Sequence, residues 1–330
     1  MDRCIREVEE DPKRSVRKLV DLGRQLARGR FQRQYLDLTQ KMLENEESPY
    51  YTQIRNVVKK ADHETVKTFG INVGLGSWTH GAETIRTLEA ARECRIPWGL
   101  TLHLAGGDGA PAMDLYRRVV AEGKADGIFT YFLRADGPAC DLSPVLELVR
   151  REPGCAFLLF LPPEAWAPER VAALAACHNL VVSVDTGLPG WVEAASRLEA
   201  ARCLYGVHCT YGNRRQAEEI LSGAWMDRVT EAGCPAFAFC FAGPGCPEPV
   251  CRRVGAFVRR MRLEPRRAVF LMDFFSDYLY VDEIISGGHC FWGIRPDGAL
   301  TRCRDGREID AGEYLGPRRL SELWTEQDGT

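Results

Sequence analysis

The sequence lacks the cysteine spacing of a compact metal site. Thirteen cysteines are spread over 330 residues, yet no two lie three or four positions apart, so neither CxxC nor CxxxC occurs. Compact zinc and iron–sulfur sites take two or more ligands from one tight turn. Most of these cysteines therefore read as buried, small apolar side chains. No run of 18 apolar residues is present either, which argues against a membrane-spanning helix. An excess of basic charge is missing as well: 43 Lys and Arg face 46 Asp and Glu, for a net charge of −3, and no DNA or RNA partner is expected. The opening MDRCIREVEEDPKR is charged where a signal peptide has its apolar core, so the expected location is cytoplasmic, with reduced thiols. Catalytic signatures are absent too. There is no GxSxG elbow, no HExxH and no pair of carboxylates at a telling spacing. Of six histidines, only His103 and His208 fall in strand-like runs, where a hydrogen-bonded core histidine is the commoner reading than a base.

What is present is a 45% hydrophobic chain, able to bury a substantial core as one α/β domain or two smaller ones. Residues 1 to about 60 carry no strand pattern. Asp11-Pro12 reads as an N-cap and first-turn proline leading into Val16, Leu19, Val20 and Leu26. Phe31, Tyr35, Leu38 and Met42 then form a helical stripe. Such stripes most often pack on their own core, so a helical extension is expected here rather than a partner-binding helix.

From Pro97 onward short apolar runs alternate with helical ones. Strands are expected at 98–104, 127–133, 156–162, 180–185, 204–211 and 236–242. The helical stretches between them are AMDLYRRVVAEG, LSPVLELVRRE, APERVAALAAC, GWVEAASRLEAAR and NRRQAEEILSG. This alternation predicts a parallel sheet covered by helices, curled into an open or partial barrel. Ligands of such folds sit at the carboxyl ends of the strands. The loops there are AGGDGAP after the first strand, RADGPACD after the second, SVDTGLPGW after the fourth and GPGCPEPVC after the sixth. The first matches neither GxGxxG nor a P-loop. Asp108, Asp136, Ser183 and Asp185 are the candidate pocket residues, although Ser, Asp and Gly are also what αβ turns require.

The run from GIFTYFLRADGPACDLSPVLELVRR through AFLLFLPP and LVVSVDTG to GVHCTYGNRRQAEEIL resembles the core of the radical S-adenosylmethionine (SAM) enzymes. The opening EEDPKRSVRKLVDLGRQLARGRF, the segment SPYYTQIRNVVKKADHETVKTFGINVGLGSW and RIPWGLTLHL look like the N-terminal extension and first strand of a bacterial subfamily. FLMDFFSDYLYVDEIISGGHCFWGIRPDGALTRC is similar to that subfamily's SPASM-like C-terminal part. The resemblance implies a partial (β/α)6 barrel of radical SAM type over 96–265, a helical extension over 1–95, and a small C-terminal β-hairpin region over 266–330. In that family CxxxCxxC on the first loop holds a 4Fe–4S cluster that reduces SAM, and GGEP on the second contacts the SAM amino group. Here the first loop offers Gly106, Gly107, Asp108 and Gly109, with no cysteine between Cys94 and Cys140, and the glycines are expected to close a shortened connection. The counterpart of GGEP is Ala135, Asp136, Gly137 and Pro138, a turn kept while its carboxylate is lost. Ser183 and Asp185 match the later Ser-Ile/Val-Asp/Glu-Gly-like turn.

The expectation is therefore a degenerate form, a binding or accessory protein for a small molecule, a peptide substrate or an active homologue, with SAM a possible ligand and a 4Fe–4S cluster not expected. Two alternatives stand beside it. One is acid–base chemistry by Asp108, Asp136 or Asp185 at the barrel mouth. The other is a metal site assembled from dispersed thiols, for which Cys246, Cys251, Cys290 and Cys303 are the candidates; Cys303 matches the family's C-terminal cysteine.

Overall fold

Among the described residues seven consecutive strands run parallel to one another, each joined to the next by a helical connection. The computed structural model describes residues 2–26, 30–104, 110–135, 141–162, 166–286 and 288–325. Before the first strand come α1 (Asp2–Glu10), α2 (Pro12–Leu26), α3 (Arg30–Met42), α4 (Pro49–Lys60), α5 (His63–Ile71), a π-helical stretch (Asn72–Gly81) and α6 (Ala82–Arg92). Then follow β1 (Gly99–Leu104), α7 (Ala110–Ala125), β2 (Thr130–Ala135), α8 (Ser143–Arg151), β3 (Ala156–Leu161), α9 (Pro168–Ala175), β4 (Leu180–Asp185), α10 (Trp191–Ala200) and β5 (Tyr205–Tyr211). The remainder is α11 (Arg214–Leu221), α12 (Ala224–Ala232), β6 (Phe237–Ala242), α13 (Glu248–Leu263), β7 (Phe270–Asp273), α14 (Phe274–Ser286), β8 (Trp292–Ile294), β9 (Ala299–Arg304), β10 (Arg307–Tyr314) and α15 (Leu320–Thr325).

All ten strands belong to one sheet, in the order β10-β9-β8-β1-β2-β3-β4-β5-β6-β7, curled into a half-barrel. The fold is a partial α/β barrel of radical SAM type. Strands β1 to β7 pair in parallel, β8 joins β1 in parallel, β9 runs back antiparallel to β8, and β10 turns again to pair antiparallel with β9. The six apolar runs in the sequence are β1 to β6, and the five helical stretches are α7 to α11. β1 and β3 are buried at every position, as a strand covered on both faces must be.

The concave face is packed rather than hollow. Phe160 on β3 meets Phe239 and Phe241 on β6 edge-on, with centroids 5.3 and 5.0 Å away, and Phe274 of α14 stacks on Phe241 at 4.4 Å. Phe132 of β2 closes the ring system against Phe274 at 5.0 Å. Such layers of alternate inward side chains are what fills a barrel of this size. A second, smaller core lies among the N-terminal helices, built from Val8, Val16, Val20, Met42, Leu43, Tyr50, Tyr51 and Val58. Its helix start is as expected, with Asp11 Oδ1 accepting the Arg14 amide at 3.1 Å. Tyr50 ties it to the barrel by donating to Arg262 O at 3.2 Å, and Gln53 Nε2 donates to Pro235 O and Ala236 O beside β6. No helix among the described residues is long and apolar enough to cross a membrane.

Candidate functional site at the strand ends

Above the aromatic layer, at the carboxyl ends of the strands, the concave face turns polar. Arg134, the penultimate residue of β2, and His103 of β1 both reach Glu308 of β10, His103 Nε2 lying 2.7 Å from Oε1 and an Arg134 guanidinium nitrogen bonding Oε2. Thr301 of β9 donates its hydroxyl to the same carboxylate. All of these side chains are mostly buried, with Glu308 exposed by only 11% and Arg134 by 18%. Burial alone would raise the Glu308 carboxyl. The Arg134 charge and the hydrogen bonds from His103 and Thr301 outweigh it and hold the group at about 2. Arg134 also crosses the lumen, its guanidinium 4.8 Å from the centre of the Phe241 ring. The close approach depends on Gly293 of β8, where a Cβ would collide with Thr301 Oγ1 and Glu308 Oε1.

The carboxylate is delivered by a tight hairpin. Asp305 and Gly306 join β9 to β10 with φ of 54° and 75°, the double left-handed geometry of a two-residue turn that matches strand twist. Its tip lies against the loop after β6. Arg307 donates to Cys246 O, and a Cβ on Gly306 would stand 3.3 Å from the Cys251 Cβ. One end of the sheet thus reaches across to β6, and the chain's own carboxylate sits between Arg134 and His103.

A second buried polar group is the Ser183–His208 pair of β4 and β5, with Ser183 Oγ 3.0 Å from His208 Nδ1. Desolvation, with the nearby Arg134 charge, pushes His208 down to about 3, so its imidazole is neutral in the folded protein. Asp273 at the end of β7 is the third. Burial raises its carboxyl to about 6 even though Ser276 N donates to it at 2.9 Å and Tyr211 OH at 3.2 Å.

Of the residues singled out in the sequence, Ser183 is therefore bonded to a histidine, and Asp185 Oδ1 accepts the Gly187 amide at 2.8 Å in the turn that follows β4. Ala135 is the last residue of β2, paired with Leu104. Gly106, Gly107, Asp108, Gly109, Asp136, Gly137 and Pro138 lie outside the described residues. Only residues 105–109 separate the end of β1 from the start of α7. Cys246 and Cys251 are neighbours, the Cys251 Sγ lying 4.0 Å from Cys246 O, and burial raises both thiols. Cys303 is likewise pushed up to about 12 by burial. Cys290 donates its amide to Asp282 and its thiol to Arg95 O at 3.8 Å. Among the described residues no group of three or more His, Cys, Asp or Glu side chains is placed to hold a metal ion. The sequence reading missed Arg134, Glu308 and Thr301. The available signal was a charged residue placed to face the barrel interior at the end of an otherwise apolar strand, Arg134 following Leu133 in TYFLRA.

The fold has counterparts among solved structures. Streptococcus suis SuiB bound to S-adenosylmethionine superposes with a TM-score of 0.54 at 11% identity, covering 74% of this chain and 68% of that one. The likeness is one of fold. SuiB alone gives a TM-score of 0.53 over 74% and 70% of the two chains, and SuiB bound to precursor peptide SuiA gives 0.54 over 74% and 69%, both at 11% identity. No protein-family model matches the sequence, and no curated protein matches it.

Proposed function

We propose that this protein is a binding or accessory protein that uses a radical SAM-type barrel without generating a radical. The observation that carries this reading is the connection after β1. A radical-generating cluster needs three thiolates from that loop, and residues 95–139 contain no cysteine at all. Thiolate is the donor the irons require. The residues present do not fit the cluster. The aligned second loop, Ala135-Asp136-Gly137-Pro138, keeps its turn residues and loses the carboxylate where the family has it.

The occupant proposed for the mouth is a peptide or SAM, the two ligands carried by the SuiB structures that share the fold. Arg134 and Glu308 place a buried ion pair at that mouth, directly above the aromatic layer. Anaerobic reconstitution with iron and sulfide tests the reading directly. Iron should stay far below four per chain, the reduced sample should show no cluster resonance, and SAM should not be cleaved to 5′-deoxyadenosine. Cleavage of SAM, or three sulfurs ligating one cluster, would overturn it.

A further inference from the structure

After β6 the chain reads Cys246-Pro247-Glu248-Pro249-Val250-Cys251, of which Glu248 onward is already the first turn of α13. Pro247 is the N-cap of this 16-residue helix, which puts Cys246 at the position before the cap and Cys251 four residues into the helix. These are the two positions whose side chains meet in a hydrophobic staple, the contact that fixes how a chain enters a helix. Here both positions are cysteines, with the Cys251 thiol 4.0 Å from Cys246 O, and both residues are shielded, Cys246 at 0% and Cys251 at 4% exposure. Part of that shield is the hairpin tip, through Gly306 against Cys251 and Arg307 on Cys246 O.

We propose that Cys246 and Cys251 are a reversible dithiol–disulfide pair that clips the entry of α13, with access governed by the β9–β10 hairpin tip. The step is thiol–disulfide exchange with a low-molecular-weight disulfide. One cysteine, as its thiolate, attacks the reagent and releases one small thiol. The second cysteine then attacks the mixed disulfide and releases the other. The protein loses two electrons and two protons, and the reagent is reduced to two thiols. Burial holds both cysteines as thiols, so exchange is slow while the tip is down and speeds up when it lifts.

A second pair of neighbouring cysteines does not qualify. Cys209 and Cys240 are register partners on the parallel strands β5 and β6. The ladder spaces such neighbours about 4.8 Å apart, whereas a disulfide wants its Cβ atoms at about 3.8 Å. Cys246 lies outside the ladder, in the turn that leads into α13, so its distance to Cys251 is not fixed by strand pairing.

The test uses the wild-type protein and a large excess of oxidised glutathione, followed by alkylation, trypsin and mass spectrometry of the peptide spanning residues 229–252, which carries Cys234, Cys240, Cys246 and Cys251. The expected product lacks two hydrogens, has Cys246 and Cys251 joined and resistant to alkylation, and returns to two alkylatable thiols with dithiothreitol. Cys246→Ser should instead trap a glutathione adduct on Cys251. Arg307→Ala, which removes one contact of the tip, should speed disulfide formation by about fivefold, the scale of one lost hydrogen bond. If Cys234 is fully glutathionylated while Cys246 and Cys251 remain alkylatable, or if the disulfide joins other cysteines, the pair is only a staple and the proposal fails. None of these outcomes depends on what the barrel mouth binds.

Discussion

Glu308 is the residue on which the strand-end cluster depends. It is the shared acceptor of Arg134, His103 and Thr301, three groups that its removal would leave facing an interior with little water. Taking away one partner of a buried ion pair costs more than the pair itself contributes, because the other charge remains desolvated. Glu308→Gln should therefore destabilise the protein by about 3 kcal/mol at neutral pH, read from urea unfolding. The pH dependence has a definite sign. The folded carboxyl, at about 2, lies below its ordinary value of 4.5, so on acidification the unfolded chain takes up the proton first. The stabilisation is complete above about pH 4.5 and is lost as pH falls toward 2. The gap between wild type and variant should close over that window. A gap independent of pH would mean that shape rather than charge is what Glu308 provides. Asp273 behaves in the opposite sense. Its raised value of about 6 means that it favours the folded state more as pH falls from 6 toward 4.

Among the elements, the β9–β10 hairpin does the most to define the site. β8 anchors it on β1 through the partners Thr101↔Gly293 and Leu102↔Ile294, and the Asp305–Gly306 turn sets the register that brings Glu308 opposite Cys303. Gly306 holds a φ of 75°, a region that costs an ordinary residue about 1–2 kcal/mol. Gly306→Ala should lower the thermal midpoint by a few degrees, in line with that energy. It should also raise the rate of thiol labelling at Cys251, which the turn covers. Unchanged labelling would show that the tip does not guard the thiols. The sequence marked this hairpin region through its Pro-Asp-Gly turn, seen as Pro296–Gly298 between β8 and β9, where Asp297 Oδ1 accepts the Ala299 amide at 2.9 Å. β7 was not legible. Its four residues, FLMD, run without a turn signal into the helical FFSDYLY, and a short apolar run carries no period to separate strand from helix.

At the scale of the molecule, two cores of unequal size share one chain. The barrel core runs from Ala61 to Trp324, whereas the N-terminal helices bury a small cluster of their own around Val16, Tyr50 and Tyr51. Local opening costs least where few apolar contacts hold an element. Amide hydrogens of α2 should therefore exchange well before those of β2 to β4, as measured by native-state exchange. Equal protection would mean that the two cores open as one. The join between them is partly aromatic, Tyr50 meeting Phe270 of β7 at 5.8 Å, and partly polar, through Tyr50 and Gln53 onto backbone carbonyls of α13 and beside β6. Nothing in the local sequence around Tyr50 announces a partner 212 residues away.

The sequence alone determined the alternation of strand and helix, because apolar runs bounded by turn residues report local burial and local dihedral preference. It also determined that no thiolate triad stands after β1, since composition settles which donors a loop possesses. Only the tertiary structure decided which charges meet. Glu308 and Arg134 are 174 residues apart, and their pairing follows from how far the sheet curls and where β8 docks, which no spacing encodes. The thiol pair lies between these cases. Cys246 and Cys251 are near in sequence, but that the Cys251 thiol faces Cys246 O and that both lie beneath the hairpin tip is set by the helix entry and by a strand pair from the far end of the chain.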